Sequence, residues 1–395
     1  MLVFSSAPGR ADFLNTHQDY KGLPTVPIAI DRRVRMTARP REDSLIVATS
    51  SSVPEGERVE QFSLERPAYE KGHWWGNYLR AVVNSLMPMS QKCFIGLDVK
   101  IESDLPIASG LASSAALEVA FAELVSRANG LAIDTKGIAE ICYRAERIEL
   151  GIPCGRLDQY SSAFGGTILL ESRPPYTVEE LPKPPGSIVV IDSGVKHSTA
   201  SIHPIRQSEI DLAISQLYEA GWPGDGLVRT SVPKHDELFW EKIDPASIEV
   251  FLQSVDEVYS KRIMFTILMQ RSTVIAVQLL KGKALDKASL EEIFGMNRTF
   301  PQGELEILAG ILNYQHELLR DLYEVSHPKL ESLRELALSS GAMGVKISGA
   351  GMGGSMVALA KDDAEATKCV EKAREAGAWA TLVRVDSGAS STLTE

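Results

Sequence analysis

The stretch DLPIASGLASSAALEVA, Asp104 to Ala120, passes from a strand end through a glycine-bearing loop into a helix. Upstream, FIGLDVKIE (94–102) alternates Ile95, Leu97, Val99 and Ile101 with Gly96, Asp98, Lys100 and Glu102. That period of two predicts a half-buried strand. Downstream, helix-forming residues continue to a stop at Asn129-Gly130. A loop without bulky side chains lets backbone N–H groups approach an anion. The first helical turn adds unpaired N–H groups and the positive dipole end. Ser113 and Ser114 stand at that turn, where a hydroxyl can cap the helix, touch phosphate or ligate Mg²⁺. No GxxxxGK[ST] occurs in the chain, so this is not a Walker A loop.

A second glycine run, GAGMGG, satisfies GxGxxG through Gly349, Gly351 and Gly354. That pattern binds dinucleotides where it opens a helix after a strand. Here the β-prone SMVALA follows, so the run predicts a hairpin turn with exposed backbone, and Lys346 lies just upstream.

The 395 residues are too many for one compact core, and two domains are expected. A net charge of −11 argues against a nucleic-acid partner but not against a locally positive pocket. The four cysteines are widely spaced and form no CxxC, as expected of reduced thiols. The N-terminus lacks a basic start, and no run reaches the ~18 uninterrupted apolar residues of a membrane span. These features lead us to expect a cytoplasmic protein without membrane or nucleic-acid partners.

DTKGIAEICYRAERIELG (134–151) reads as a helix with Asp134 or Thr135 as N-cap and Gly151 as its stop. SRPPYTVEELPKPPG (172–186), with five prolines, predicts a break and a domain crossover. The strand SIVVIDSG, helices over 205–340, the hairpin, a late helix and the strand TLVRVD follow. The polar tail SGASSTLTE reads as disordered. Among the acids, Glu146 near a helix C-terminus opposes the dipole and asks for a cation. Asp158 sits between Leu157 and the small-residue run SSAFGG, which suggests partial burial. APGRADFLNTHQDYKG (7–22) is too polar for an ordinary core element.

These pieces together resemble the GHMP small-molecule kinases, and within them galactokinases. The carrying motifs, in family order, are PGRxxxxxxHxDYxG, PxxxGLxSSAALEVA, GIPCGxxDQ and KxSGAGxGGS. The likeness continues through WGNYLRAV (75–82), HSTAS (197–201) and LLRDLYEVSHPKLESL (318–333), and spans about residues 5–360. It implies an α+β fold of two domains. These are a ribosomal-protein-S5-like N-terminal domain over 1–175 and an α/β C-terminal domain over 186–386, with the active site in the cleft between them and the tail 387–395 outside. It implies ATP-dependent phosphorylation of the anomeric (C1) hydroxyl of galactose or a similar sugar, by a monomer or homodimer, with Mg²⁺.

By resemblance, Asp158 matches the catalytic acid and Arg10 the arginine beside it and the transferring phosphate. Ser114 and Glu146 match the Mg²⁺ ligands. Pro106, Ser109, Gly110, Leu111, Ala112, Ser113 and Ser114 match the phosphate cradle, with Gly349 and Gly351 joining the ATP contacts. Trp75 matches an adenine-side aromatic. His17 and Asp19 match sugar contacts. Phosphoryl transfer fits these roles, because it needs positioning and charge neutralisation more than covalent chemistry.

The chain departs from the pattern where the sugar sits. The family's GEHTDY is NTHQDY here, so Thr16 replaces a glutamate that meets the sugar's C6 hydroxyl. A usually apolar position ahead of Asp158 is Arg156. A tyrosine in the family's EYP is matched by His203. Removing a negative charge and adding positive ones leaves room for a C6-modified or pentose relative such as galacturonate, L-arabinose or fucose, with a charge-assisted bond to a carboxylate worth about 1.5–3 kcal/mol. A sugar sensor without turnover would show damage in the loop or the acids, and all are present.

Overall fold

The computed structural model describes every residue except 1, 66, 73, 90–92, 108, 196–198, 297, 298 and 395, and the side chains of 74 and 199–201 besides. The chain forms two compact units. The first comprises Met1–Ala11, Pro27–Ile168 and Val385–Glu395; the second comprises Asp12–Val26 and Leu169–Arg384.

Unit 1 begins with β1 (Leu2–Leu14), which it holds as far as Ala11, and continues with β2 (Val26–Pro40), β3 (Leu45–Ser50) and β4 (Val59–Ser63). Helix α1 (Trp74–Leu86) leads to β5 (Leu97–Ser103). Leu97, Val99 and Ile101 of β5 are buried while Asp98, Lys100 and Glu102 face out, as the alternation demands. Helices α2 (Ser113–Ala128), α3 (Thr135–Arg144) and α4 (Leu157–Phe164) pack together, and β6 (Thr167–Leu170) follows. Asp134 caps α3 by accepting from Gly137 N at 2.7 Å. The helix then loosens into a π turn, Ala145–Glu149, before Gly151 ends it.

Unit 2 holds β7 (Val178–Leu181), β8 (Ser187–Asp192), α5 (Thr199–Glu219), α6 (Pro245–Leu252), α7 (Glu257–Leu280), α8 (Lys287–Phe294), α9 (Glu304–Glu317) and α10 (Pro328–Ser339). It closes with β9 (Ala342–Ser348), β10 (Ser355–Ala360), α11 (Asp363–Glu375) and β11 (Trp379–Val383). Its antiparallel sheet has the order β11-β8-β10-β9. Helix α7 is long and apolar enough to cross a membrane, but most of it is buried in this unit's core.

Two expectations are corrected. The tail is ordered. Residues Ser390–Thr394 form β12, paired antiparallel with β1 from Leu2↔Thr394 to Ser6↔Ser390, so unit 1's sheet runs β12-β1-β2-β5-β3-β4. Serine and threonine make the segment polar, yet their backbones fill a sheet edge readily. The domains are also not the linear halves 1–175 and 186–386. Residues 12–26 fold with unit 2, residues 385–395 return to unit 1, and the crossover falls at 168/169. The proline-rich segment lies wholly within unit 2 and contains β7.

Candidate active site

In unit 1 the strand β1 carries Pro8-Gly9-Arg10 close against the loop 105–112. A Cβ on Gly9 would meet a Leu105 methyl at 2.5 Å and the Leu111 carbonyl at 2.8 Å, so glycine lets the strand approach. Arg10 N donates to Leu111 O at 3.0 Å, and Arg10 Nη1 donates to Gly110 O at 2.5 Å. Arg10 Nε and Nη2 reach Asp158 Oδ1 at 2.9 and 2.7 Å. Asp158 stands in the first turn of α4, where the dipole favours an acid. Its side chain is 31% exposed while that of Arg10 is 7% exposed, so the pair presents the carboxylate outward. Asp158 Oδ2 takes no hydrogen bond among the described residues.

The loop ends in two left-handed residues, Gly110 (φ 76°) and Ala112 (φ 57°), and Ala112 starts α2 without a side-chain cap. The first-turn N–H groups are thereby left for a ligand. The half-buried Ser113 and Ser114 hydroxyls make no hydrogen bond among the described residues. Ser109 Oγ turns inward onto Pro106 O at 3.0 Å.

Glu146 sits in the π turn, nearly buried, and accepts from Gln159 Nε2 at 2.5 Å. Burial and the Asp158 charge push its carboxyl up to about 8, while Gln159 and Arg10 pull the other way. Its Oε1 accepts nothing among the described residues. These groups fit a divalent cation of the Mg²⁺ kind. Such an ion takes few protein oxygens and completes its shell with water and phosphate, and no group of three or more His, Cys, Asp or Glu at metal-binding distance occurs among the described residues.

Two predicted contacts are not available as expected. Trp75 is buried in the core of unit 1, 3% exposed, and its indole N–H donates to Glu57 O at 2.9 Å, so it offers no face to a base. Arg156 forks onto Glu140 at 2.6 and 3.2 Å and lies 3.8 Å over the Tyr143 ring, so its charge is already met. Glu140 also accepts from Tyr160 Oη at 2.6 Å.

Unit 2 gathers the other residues. Asn15 and His17 both take left-handed backbone, φ 65° and 66°. Asparagine and histidine are both among the non-glycine residues that enter that region most readily. The ring is held at both nitrogens, by Ala350 O (3.0 Å from Nε2) and Tyr20 Oη (3.1 Å from Nδ1). A carbonyl only accepts, so Nε2 carries the proton and Nδ1 accepts from Tyr20. Tyr20 in turn accepts from Tyr323 Oη at 2.5 Å. Burial first, then the neighbouring His203 and Lys21, holds the imidazole well below its ordinary range and therefore neutral. The His203 ring lies 5.2 Å from that of His17 and 5.3 Å from that of Tyr20. Asp19 opens the short 3₁₀ turn Asp19–Lys21 that follows.

Thr16 is buried, and its hydroxyl accepts from Lys346 Nζ, which also donates to Asp12 O (3.2 Å) and Ile347 O (2.9 Å). Gly349 and Gly351 belong to the turn between β9 and β10, not to a helix start. Residues 196–198, with them the first two of the HSTAS resemblance, lie outside the described residues, as does Ala108 in the loop.

Sequence reasoning missed Glu118, Gln159, Tyr20 and Tyr323. A lone acid inside the apolar run SSAALEVAF was the available signal for Glu118.

Comparison with known proteins supports the same family. The chain matches the profile of the GHMP kinases N terminal domain over 77–166, the GHMP kinases C terminal profile over 296–378, and the galactokinase galactose-binding signature over 2–40. It is 28% identical to a galactokinase of Clostridium beijerinckii over 367 residues, 91% of this chain and 85% of that one. A Roseiflexus galactokinase is 29% identical over 363 residues, 90% and 83% of the two chains. The crystal structure of Lactococcus lactis galactokinase complexed with galactose shares the fold, with a TM-score of 0.79 at 23% identity, over 98% of this chain and 95% of that one. Both terminal profiles of one family, in order on one chain with the fold to match, make this protein a member of the GHMP kinases.

Proposed function

We propose that the chain transfers the γ-phosphoryl group of ATP to the anomeric hydroxyl of galactose or a galactose-like sugar. The observation that carries this is the Arg10–Asp158 pair, with an open carboxylate oxygen beside a loop whose backbone suits phosphate. Asp158 Oδ2 receives the sugar hydroxyl and orients it. Oδ1 is already engaged by the guanidinium, so Asp158 acts mainly by orienting the hydroxyl, and proton transfer comes late. Arg10 holds its charge where negative charge develops. The first-turn N–H groups of α2 and the loop 106–114 cradle phosphate oxygens. Ser114 and Glu146 would hold Mg²⁺, which supplies charge neutralisation when bound. By resemblance, Gly349 and Gly351 would be further nucleotide contacts, and His17, Asp19 and His203 sugar contacts. The same reading places the enzyme in the cytoplasm, as a monomer or homodimer.

One observation favours a second reading, a sugar altered at C6. The Lys346 ammonium stands at Thr16, where the resemblance would put a glutamate. A threonine here spares a sugar carboxylate such as that of galacturonate the repulsion of a second acid, while Lys346 itself spends its three protons on Thr16 Oγ1, Asp12 O and Ile347 O. Arg156, spent on Glu140, is left out of that argument. ADP release should be measured with ATP, Mg²⁺ and each of galactose, galacturonate, L-arabinose, fucose and N-acetylgalactosamine. Turnover of at least one is expected. No turnover of any by folded protein rejects the kinase reading for these sugars, and galactose preferred tenfold or more over galacturonate rejects the C6-acid reading.

A further inference from the structure

Glu118 lies on α2 four residues beyond Ser114, hence on the same helix face. It is fully buried, and neither carboxyl oxygen has a sound hydrogen-bond partner among the described residues. Its neighbours are of its own sign. Glu146 and Asp158 both raise its proton affinity on top of burial, and a side-chain hydrogen-bonding interaction with Gln159, whose amide also donates to Glu146, offsets part of this. The negative field spreads further: Tyr78, Cys142 and Cys154 are all pushed up by burial and then by these acids. An acid that merely filled space here would be better replaced by glutamine or leucine, because an orphaned buried carboxyl costs stability. A compensating cation with its water would satisfy those oxygens.

We propose that Glu118 is a further anchor of the divalent-cation site, taking hydrogen bonds from water that the cation carries beside Glu146 and Ser114. The inference rests on the reading of unit 1 as a phosphoryl-transfer site. Glu118 acts through the cation's water, so it is a positioning residue. Second-layer partners of this kind typically change metal affinity by about 10–100-fold.

The test is Mn²⁺ binding to the full-length protein with saturating ADP, read by electron paramagnetic resonance of free Mn²⁺, together with ADP binding in EDTA by calorimetry. Glu118→Gln is expected to weaken Mn²⁺ roughly tenfold or more while ADP affinity in EDTA stays within about twofold. Glu118→Asp keeps the charge one methylene back and is expected to weaken Mn²⁺ only about threefold, less than Glu118→Gln does. Mn²⁺ affinity within twofold of wild type in folded Glu118→Gln overturns the proposal, as does an equal loss of ADP affinity without metal. Should Glu118→Gln not fold, unchanged Mn²⁺ affinity in Glu118→Asp overturns it. Glu146→Gln separates the two readings. If it too leaves Mn²⁺ affinity intact, the cation site itself is misread and the proposed mechanism falls; if it alone loses affinity, only the role of Glu118 falls.

Discussion

At the residue scale the chemistry rests on a carboxylate with one oxygen held and one open. Asp158→Asn keeps the shape but weakens the acceptor and the ion pair with Arg10. Turnover should fall about 10²–10⁴-fold, read as ADP release, with the thermal melt little changed. Near-wild-type turnover by a folded variant would show that Asp158 is not the orienting group. His17 gives a pH test. Its folded-state proton affinity is depressed, so below its ordinary value of 6.5 the unfolded chain binds the extra proton. Its contribution is present above that pH and is lost as pH falls through the folded value. Wild type should lose more melting temperature between pH 7.5 and 5.5 than His17→Asn, a change that also suits the left-handed backbone. Equal losses would show that His17 does not titrate between the two states. Arg10, Asp158, Glu146 and the loop were legible because motif and chemistry agreed. Trp75 misled because an aromatic in a motif says nothing about which way it faces, and Arg156 because its partner Glu140 lies sixteen residues back on another helix.

At the element scale the β9–β10 turn illustrates what spacing can decide. GxGxxG alone suggested a dinucleotide loop, but the β-prone residues after it identified a hairpin, and that is what forms. Its glycines are needed for space as well as conformation. A Cβ on Gly351, at φ 78°, would meet Val325 O at 2.3 Å. Gly351→Ala should therefore cost about 1–3 kcal/mol, seen as a lower denaturant midpoint; an unchanged midpoint would mean that the turn yields freely. The π turn at Ala145–Glu149 was illegible, because it ends its helix and no apolar repeat follows it to reveal the shift of register. Yet that turn carries Glu146. The tyrosine relay was hidden for a different reason: Tyr20 and Tyr323 are 303 residues apart and meet only in the folded unit.

At the scale of the whole molecule, the class was legible and the partition was not. Four motifs in order fixed the family, whereas composition placed the boundary at a proline run that turns out to lie inside unit 2. The C-terminal strand is tied into unit 1 by more than β1. Arg33 donates to Asp386 Oδ2 at 2.7 Å, to Ser387 O at 3.0 Å and to Gly388 O at 2.9 Å. Deleting residues 385–395 bares an edge of β1. It should lower the melting temperature by roughly 5 °C or more and promote association through that edge, measured by calorimetry and light scattering. A deletion variant as stable and as dispersed as the full chain would show that β12 adds nothing. The interleaving also bears on how the protein comes off the ribosome. Domains ordinarily mature in the order in which they are translated. Here the first unit to start must wait for the last strand, so the nascent chain carries an unfinished sheet while all of unit 2 is being made. Residues 2–6, exposed through that interval, are where a chaperone or a wrongly paired neighbour would find its opening.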